Sequence, residues 1–164
     1  MVDADGGEPR TIADALPIGD APAWSPDGEW IAFSTGDGTT GTIDLVRSDG
    51  SGRRTLVDIA DTQPREPVWS PDGGHVAYIA EKASLFGFSS IVSFTSLDAA
   101  GAVFTSASAD AVHSSPRWSP DGSHLAVTRM PMTSLASELV VFDPTNGDEL
   151  VIATGVATVI EWLP

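Results

Sequence analysis

The chain has no cysteine, which excludes disulfides, thiolate metal ligands and cysteine nucleophiles. Basic residues are scarce too: eight Lys and Arg stand against 23 Asp and Glu, for a formal charge of −15. A field of that sign repels phosphate backbones and anionic lipid surfaces, which argues against nucleic-acid and membrane partners and leaves a basic one open. No apolar run approaches the roughly 18 residues of a membrane span, so no membrane insertion is expected. Met1 to Gly7 carries neither a basic stretch nor an apolar core, and no signal peptide is read there. Sustained apolar stripes of helical period are missing as well. Apart from a short turn at Thr11 to Leu16, helix should be nearly absent.

What the chain does have is 16 Gly and 12 Pro among 164 residues that are 41% hydrophobic. That mixture suits one globular domain of many short strands and turns. The turns repeat. Trp24-Ser25-Pro26-Asp27-Gly28 returns as Trp69-Ser70-Pro71-Asp72-Gly73 and as Trp118-Ser119-Pro120-Asp121-Gly122, at spacings of 45 and 49 residues. Trp162 stands a further 44 residues on, as the opening of a fourth copy. In each pentapeptide Pro presets φ, Asp bonds nearby backbone and Gly supplies positive φ, which predicts a hairpin turn.

A short β-rich run follows each turn: Ile31-Ala32-Phe33, Val76-Ala77-Tyr78-Ile79 and Leu125-Ala126-Val127. Third strands are read at Ile43 to Val46, Ile91 to Phe94 and Leu139 to Phe142, and outer strands at Thr55 to Val57, Ala102 to Phe104 and Leu150 to Ile152. Four strands per unit make one antiparallel blade of a β-propeller. The expected division is the end of a preceding blade at 1–17, blades at 18–62, 63–111 and 112–156, and the first strand of another at 157–164.

Three Trp-Ser-Pro-Asp-Gly motifs, each with a proline two residues earlier (Pro22, Pro67, Pro116) and an Ile-Ala-Phe-like strand after it, resemble the WD-like repeats of the TolB propeller family. The resemblance covers nearly the whole chain. It implies an all-β propeller of about three complete blades plus one split blade, and a periplasmic or extracellular setting. It leaves three arrangements open: a piece of a larger ring, a small ring closed on Trp162, or a homodimer in which two chains complete each other's split blade. The last would cover sheet edges that otherwise stay unpaired.

Chemistry is sparse. His75 and His124 hold equivalent repeat positions and are read as packing or rim residues. His113 stands apart, in a connection expected to open on the mouth of the central channel beside Asp20, Arg65, Glu66 and Ser114. No metal-ligand spacing, phosphate-cradling loop or Gly-x-Ser-x-Gly nucleophile motif is present, so no cofactor, metal or catalytic residue is assigned. Asp3-Ala4-Asp5-Gly6 reads as a turn rather than a calcium loop.

Two loops joining second to third strands are apolar, one holding Phe86 and Phe88 and the other Met130 and Met132. Aromatic and Met side chains on exposed loops favour protein interfaces. The expected role is a non-catalytic module binding a protein or peptide partner. The alternatives are the gating propeller of a prolyl oligopeptidase-like hydrolase, or a structural assembly unit.

Overall fold

A computed structural model describes residues 11, 20–84, 87–98, 103–105, 110–155 and 162. Turn chemistry decides where this chain reverses. In each Trp-Ser-Pro-Asp-Gly segment the serine hydroxyl donates to aspartate Oδ1, at 2.5 Å in the first two units and 2.6 Å in the third. The same hydroxyl accepts the backbone N–H five residues further on, at 2.9 Å in all three. The glycine amide donates to the serine carbonyl at 2.9 Å, and Gly28, Gly73 and Gly122 all sit at φ +72°, where any other side chain is strained. Bonding of this kind favours the charged carboxylate: the Ser119 hydroxyl, then the Ser123 N–H and hydroxyl, lower the Asp121 pKa to about 2.

Twelve strands are described: β1 (Ala23–Trp24), β2 (Trp30–Gly36), β3 (Gly41–Arg47), β4 (Arg54–Asp58), β5 (Gln63–Trp69), β6 (His75–Ser84), β7 (Gly87–Ser96), β8 (Val103–Thr105), β9 (Ala111–Trp118), β10 (Leu125–Pro131), β11 (Glu138–Phe142) and β12 (Glu149–Thr154). They pair antiparallel, in chain order, as three four-stranded sheets, β1 to β4, β5 to β8 and β9 to β12. No helix occurs among the described residues. The innermost strands β1, β5 and β9 are neighbours, so the sheets stand as blades about a shared axis. The end of a preceding blade expected at 1–17 falls, apart from Thr11, outside the described residues.

Side chains alternate across each sheet with the two-residue period of a strand. Ala32, Ile43, Leu45 and Val57 of the first blade close on Trp69, Val76, Tyr78 and Ala80 of the second. The opposite face of the second blade, with Ala77, Ile79 and Val92, closes on Leu125, Val127, Val140 and Phe142 of the third. Ala32, Ala77 and Ala126 are repeat equivalents, and the first two face the following blade. Ala126 lines a groove of about 400 Å³ with Leu139, Val141, Leu150, Ile152 and Trp162.

The tryptophans tie blade to blade. The Trp69 indole N–H donates to the Ala23 carbonyl (3.0 Å), Trp118 to Val68 (3.4 Å) and Trp162 to Arg117 (3.1 Å). Each acceptor immediately precedes the tryptophan of the unit before. Phe94 fills the second interface edge-on, its ring 6.0 Å from those of both His75 and Trp118.

Replacing Trp69 by Phe keeps most of the ring and removes the donor, leaving the Ala23 carbonyl unpaired. It should lower unfolding free energy by about 1–3 kcal/mol. Trp118→Phe should cost less, since its bond is longer. Urea midpoints with unchanged slope check both.

Candidate functional site

One end of the blades gathers the starts of the innermost strands and the tips of the second-to-third-strand hairpins. Antiparallel pairing sets Gly36 beside Gly41, Gln63 opposite Glu81 and Ala111 opposite Pro131, all at that end. Gln63, buried and overlooked in the sequence, binds the first hairpin to the second blade. Its Nε2 donates to the carbonyls of Thr35 and Pro64, both at 3.1 Å, and its Oε1 accepts the Gly38 N–H at 3.3 Å. A Cβ at Gly36 or Gly41 would collide with this carboxamide and with backbone, so glycine is required at both.

The conserved place of proline in the repeat has a structural counterpart. Glu66-Pro67 oppose one residue of β6, and Ser115-Pro116 oppose one residue of β10, making a bulge in β5 and another in β9. Proline cannot donate to a ladder, and a bulge removes that demand. Glu66 and Ser115 take φ of +51° and +55° there. The bulge aims the Glu66 carboxylate at the next blade, where it accepts the Ser115 N–H at 2.6 Å. Burial raises the Glu66 pKa and the Asp20 charge adds to that, against the Ser115 N–H and the charges of Arg65 and Arg117.

Asp20 and Arg65 are brought together as the sequence led one to expect. Arg65 Nε donates to Asp20 Oδ1 and its Nη1 to Glu81 Oε2, each at 3.2 Å. The Asp20 side chain is 4% exposed and its Oδ2 has no partner among the described residues. Glu81 carries no motif, and only the hairpin register places it here.

His113 and Ser114 are not part of that cluster. Both lie within β9 rather than in a loop, because the innermost strand starts before its bulge. His113 Nδ1–H donates to the Ser90 carbonyl at 2.8 Å while its backbone N–H donates to Ser90 Oγ at 2.7 Å. Burial, and after it the charge of Arg129, lowers the imidazole pKa to about 4, against the Ser90 backbone bond and Glu149. The ring is therefore neutral near pH 7, with Nε2 buried and without a partner among the described residues. Ser114 stands beside it opposite Thr128.

The apolar candidates reach solvent. Phe88 and Met130 lie within β7 and β10 rather than in loops, because the hairpin strands run on to near their tips; Phe88 is 51% exposed, Met130 48% and Met132, in the loop after β10, 46%, and Leu135 of that loop is fully exposed. Phe86 lies outside the described residues. Among the described residues no group of three or more His, Cys, Asp or Glu converges as a metal site would require.

No protein-family model matches the sequence, and no curated protein matches it. Solved structures do match. A TolB-type protein of Agrobacterium tumefaciens superposes with TM-score 0.71 at 19% identity, over 91% of this chain and 53% of its own. TolB from Acinetobacter baumannii gives 0.65 at 18% identity, over 86% of this chain and 34% of its own. The fold is a TolB-like β-propeller. The propeller domain of the Trilobed protease from Pyrococcus furiosus is also similar (TM-score 0.58, 17% identity), with 82% of this chain and 41% of that one covered. This propeller spans about half the length of the first of these structures and about a third of the second.

Two measurements probe the site. Arg65→Met leaves the buried Asp20 carboxylate uncompensated and should cost about 2–3 kcal/mol, reduced from the range for fully buried pairs because Arg65 is 31% exposed. Asp20→Asn combined with Arg65→Met should recover part of that loss in a double-mutant cycle. For His113, the unfolded chain binds the imidazole proton from pH 6.5 downward while the folded chain resists until about pH 4. Its stabilisation is complete above pH 6.5 and declines through that window, by up to about 3 kcal/mol. Glu66, its pKa raised, contributes in the opposite direction. Urea midpoints between pH 7 and pH 4 should fall less steeply in His113→Gln than in the wild type.

Proposed function

We propose that this propeller is a non-catalytic protein- or peptide-binding module, engaged at the end that carries Phe88, Met130 and Met132. The observation that carries the reading is the exposure of these side chains, with Leu135, at the tips of two neighbouring hairpins on a braced scaffold. Burying a fully exposed side chain of this kind is worth about 1.5–3 kcal/mol, and about half that where half the area is already covered. The sum is of the same order as the entropy lost on association, so apolar contact alone gives weak capture. Asp20, Arg65 and Glu66 at the neighbouring strand starts would then supply orientation. His113 supports the same reading from the other side, since a buried neutral imidazole turned onto Ser90 is not presented as a general base.

A second reading takes the propeller as the gating domain of a hydrolase. What favours it is that several similar structures are peptidases, among them dipeptidyl peptidase 4 of Porphyromonas gingivalis, of which the matched part is 25% of the chain. For assembly, the apolar face of the third blade is the repeat face that in the other two receives the next blade. A further blade or the split blade of a second copy would fit there.

The test of the binding reading uses peptides selected from a random library on the wild-type protein. Phe88→Asp with Met132→Asp should weaken the selected peptides by about tenfold or more. The melting temperature should hold within a few degrees, because both side chains are largely outside the core. Unchanged affinity in the double variant would remove the proposal.

A further inference from the structure

The first blade carries, beside its Trp-Ser-Pro-Asp-Gly turn, a group of side chains that the other two blades lack. Trp30 on β2 pairs with Arg47 on β3, and Arg54 on β4 pairs with Leu45, two residues along from Arg47 and so on the same face of the sheet. The Arg47 guanidinium carbon lies 4.6 Å from the centroid of the Trp30 ring, and that of Arg54 lies 5.6 Å from it. The two cationic groups are therefore at most about 10 Å apart, the sum of those distances. Arg47 lies against the β3–β4 turn, where a Cβ at Gly52 would come within 3.5 Å of its Cδ and Nε. Trp30 packs at the edge of the core shared by the first two blades, and both arginines are exposed.

Two features of this group are not accounted for by folding. The first is that two cations adjoin without a carboxylate, in a chain whose acids outnumber its bases 23 to 8. Arg53, Arg65 and Arg129 are all ion-paired, while Arg47 and Arg54 are in no ion pair among the described residues. The acids close by are engaged elsewhere: Asp44 holds Arg53 from the opposite face of the sheet, and Asp49 accepts the Ser51 N–H at 2.8 Å. Attraction to the indole explains why the guanidinium groups lie on it, but leaves their N–H edges open. Unlike Trp69, Trp118 and Trp162, Trp30 donates its indole N–H to no carbonyl among the described residues. The second feature is that the repeat does not call for these residues. The same three places hold His75, Ser96 and Phe104 in the second blade and His124, Asp143 and Leu150 in the third. In the third blade the Arg47 place is thus taken by a carboxylate.

We propose that this face of the first blade docks an extended acidic segment of a protein partner, with carboxylates at alternate residues. One carboxylate pairs with Arg47 and the other with Arg54, and the chain between them covers the indole of Trp30. Spacing decides the pattern. Alternate side chains of an extended segment point the same way about 7 Å apart, within the span of the two guanidinium groups, whereas consecutive ones point to opposite sides. Two unpaired cations match two carboxylates. They are too few for a nucleic-acid backbone or an anionic lipid surface, which would set a whole row of charge against a chain of net charge −15. At contact range that net charge matters less, because physiological salt screens it beyond about 8 Å. The site is distinct from the apolar hairpin tips, since Trp30 and Arg47 close the β2–β3 ladder at the end away from Gly36 and Gly41.

The probe is a blocked pentapeptide, Gly-Glu-Ser-Glu-Gly, titrated into the full chain at low salt and followed by indole and guanidinium N–H signals. Saturable shifts are expected at the Trp30 indole and at Nε–H of Arg47 and Arg54, with affinity on the order of millimolar, because exposed ion pairs are individually weak. The same peptide with Gln for both Glu should bind about tenfold or more weaker, and inorganic phosphate at equal concentration should shift these signals far less. Arg47→Gln with Arg54→Gln should reproduce the tenfold loss and hold the melting temperature within a few degrees, because both side chains are exposed. Arg47→Lys with Arg54→Lys keeps both charges, loses the planar fork and should bind between the two. The proposal is overturned if the Glu and Gln peptides bind alike, if phosphate gives the same shifts, or if the glutamine variant binds as the wild type does. None of these outcomes bears on the surface at the other end, since Phe88 and Met132 are unaltered throughout.

Discussion

A tryptophan buried between two sheets brings an N–H that must find an acceptor, and in this fold the acceptor belongs to the neighbouring blade. Trp69 reaches Ala23 and Trp118 reaches Val68, each bonding the residue just before the preceding tryptophan. The bond is short-range and directional, so it sets the height and rotation of one blade against the next. Apolar contact, being non-directional, sets neither. The hairpin turn matters because it places the indole. Serine and aspartate close it with their own side chains, and the strand that ends on tryptophan is held against its partner before any second blade is present.

The bulges before Trp69 and Trp118 follow from the same requirement. Proline in an innermost strand interrupts the ladder, and the interruption turns a side chain out of the sheet toward the neighbour. Glu66 uses that freedom to hold the Ser115 amide of the next blade. Two kinds of inter-blade bond therefore flank Pro67 and Pro116: the contact between the bulged residues Glu66 and Ser115, and the indole bonds of Trp69 and Trp118. The innermost strands are fixed on both sides of the bend, while the hairpin tips that carry Phe88 and Met132 stand outside this bracing and remain open to contact.

The turns and nearly all described strands were legible because their bonds are local: serine to aspartate spans two residues and serine to the next strand five, and both recur three times. Repetition at fixed spacing was enough to infer four-stranded blades. Bonds between blades were not legible, since they span 46 residues for Trp69, 49 for Ser115 with Glu66 and 25 for Gly38 with Gln63. No motif in the sequence singles out Gln63. Only the approach of the first hairpin makes it a three-way clamp. His113 was misjudged for a related reason: its surroundings come from Ser90 on another blade, and no local pattern reports that burial. The prolines inside the innermost strands were a usable sign of the bulges, because an uninterrupted strand would exclude them.

Asp20, Arg65 and Ser114 hold the same position in their respective units, four residues before the tryptophan. A position serving only the architecture would carry the same residue each time, as the turn positions do. Here the first two carry opposite charges, and adjacent blades bring those charges into contact, with Glu81 completing the arginine's coordination. The third carries a neutral hydroxyl and faces Thr128. Charge at this position is therefore balanced between blades, by Asp20 with Arg65, as well as within the second blade, by Arg65 with Glu81, and the cost of burying Asp20 is met by a residue 45 positions away. At this position the repeat supplies the geometry and each blade supplies different chemistry.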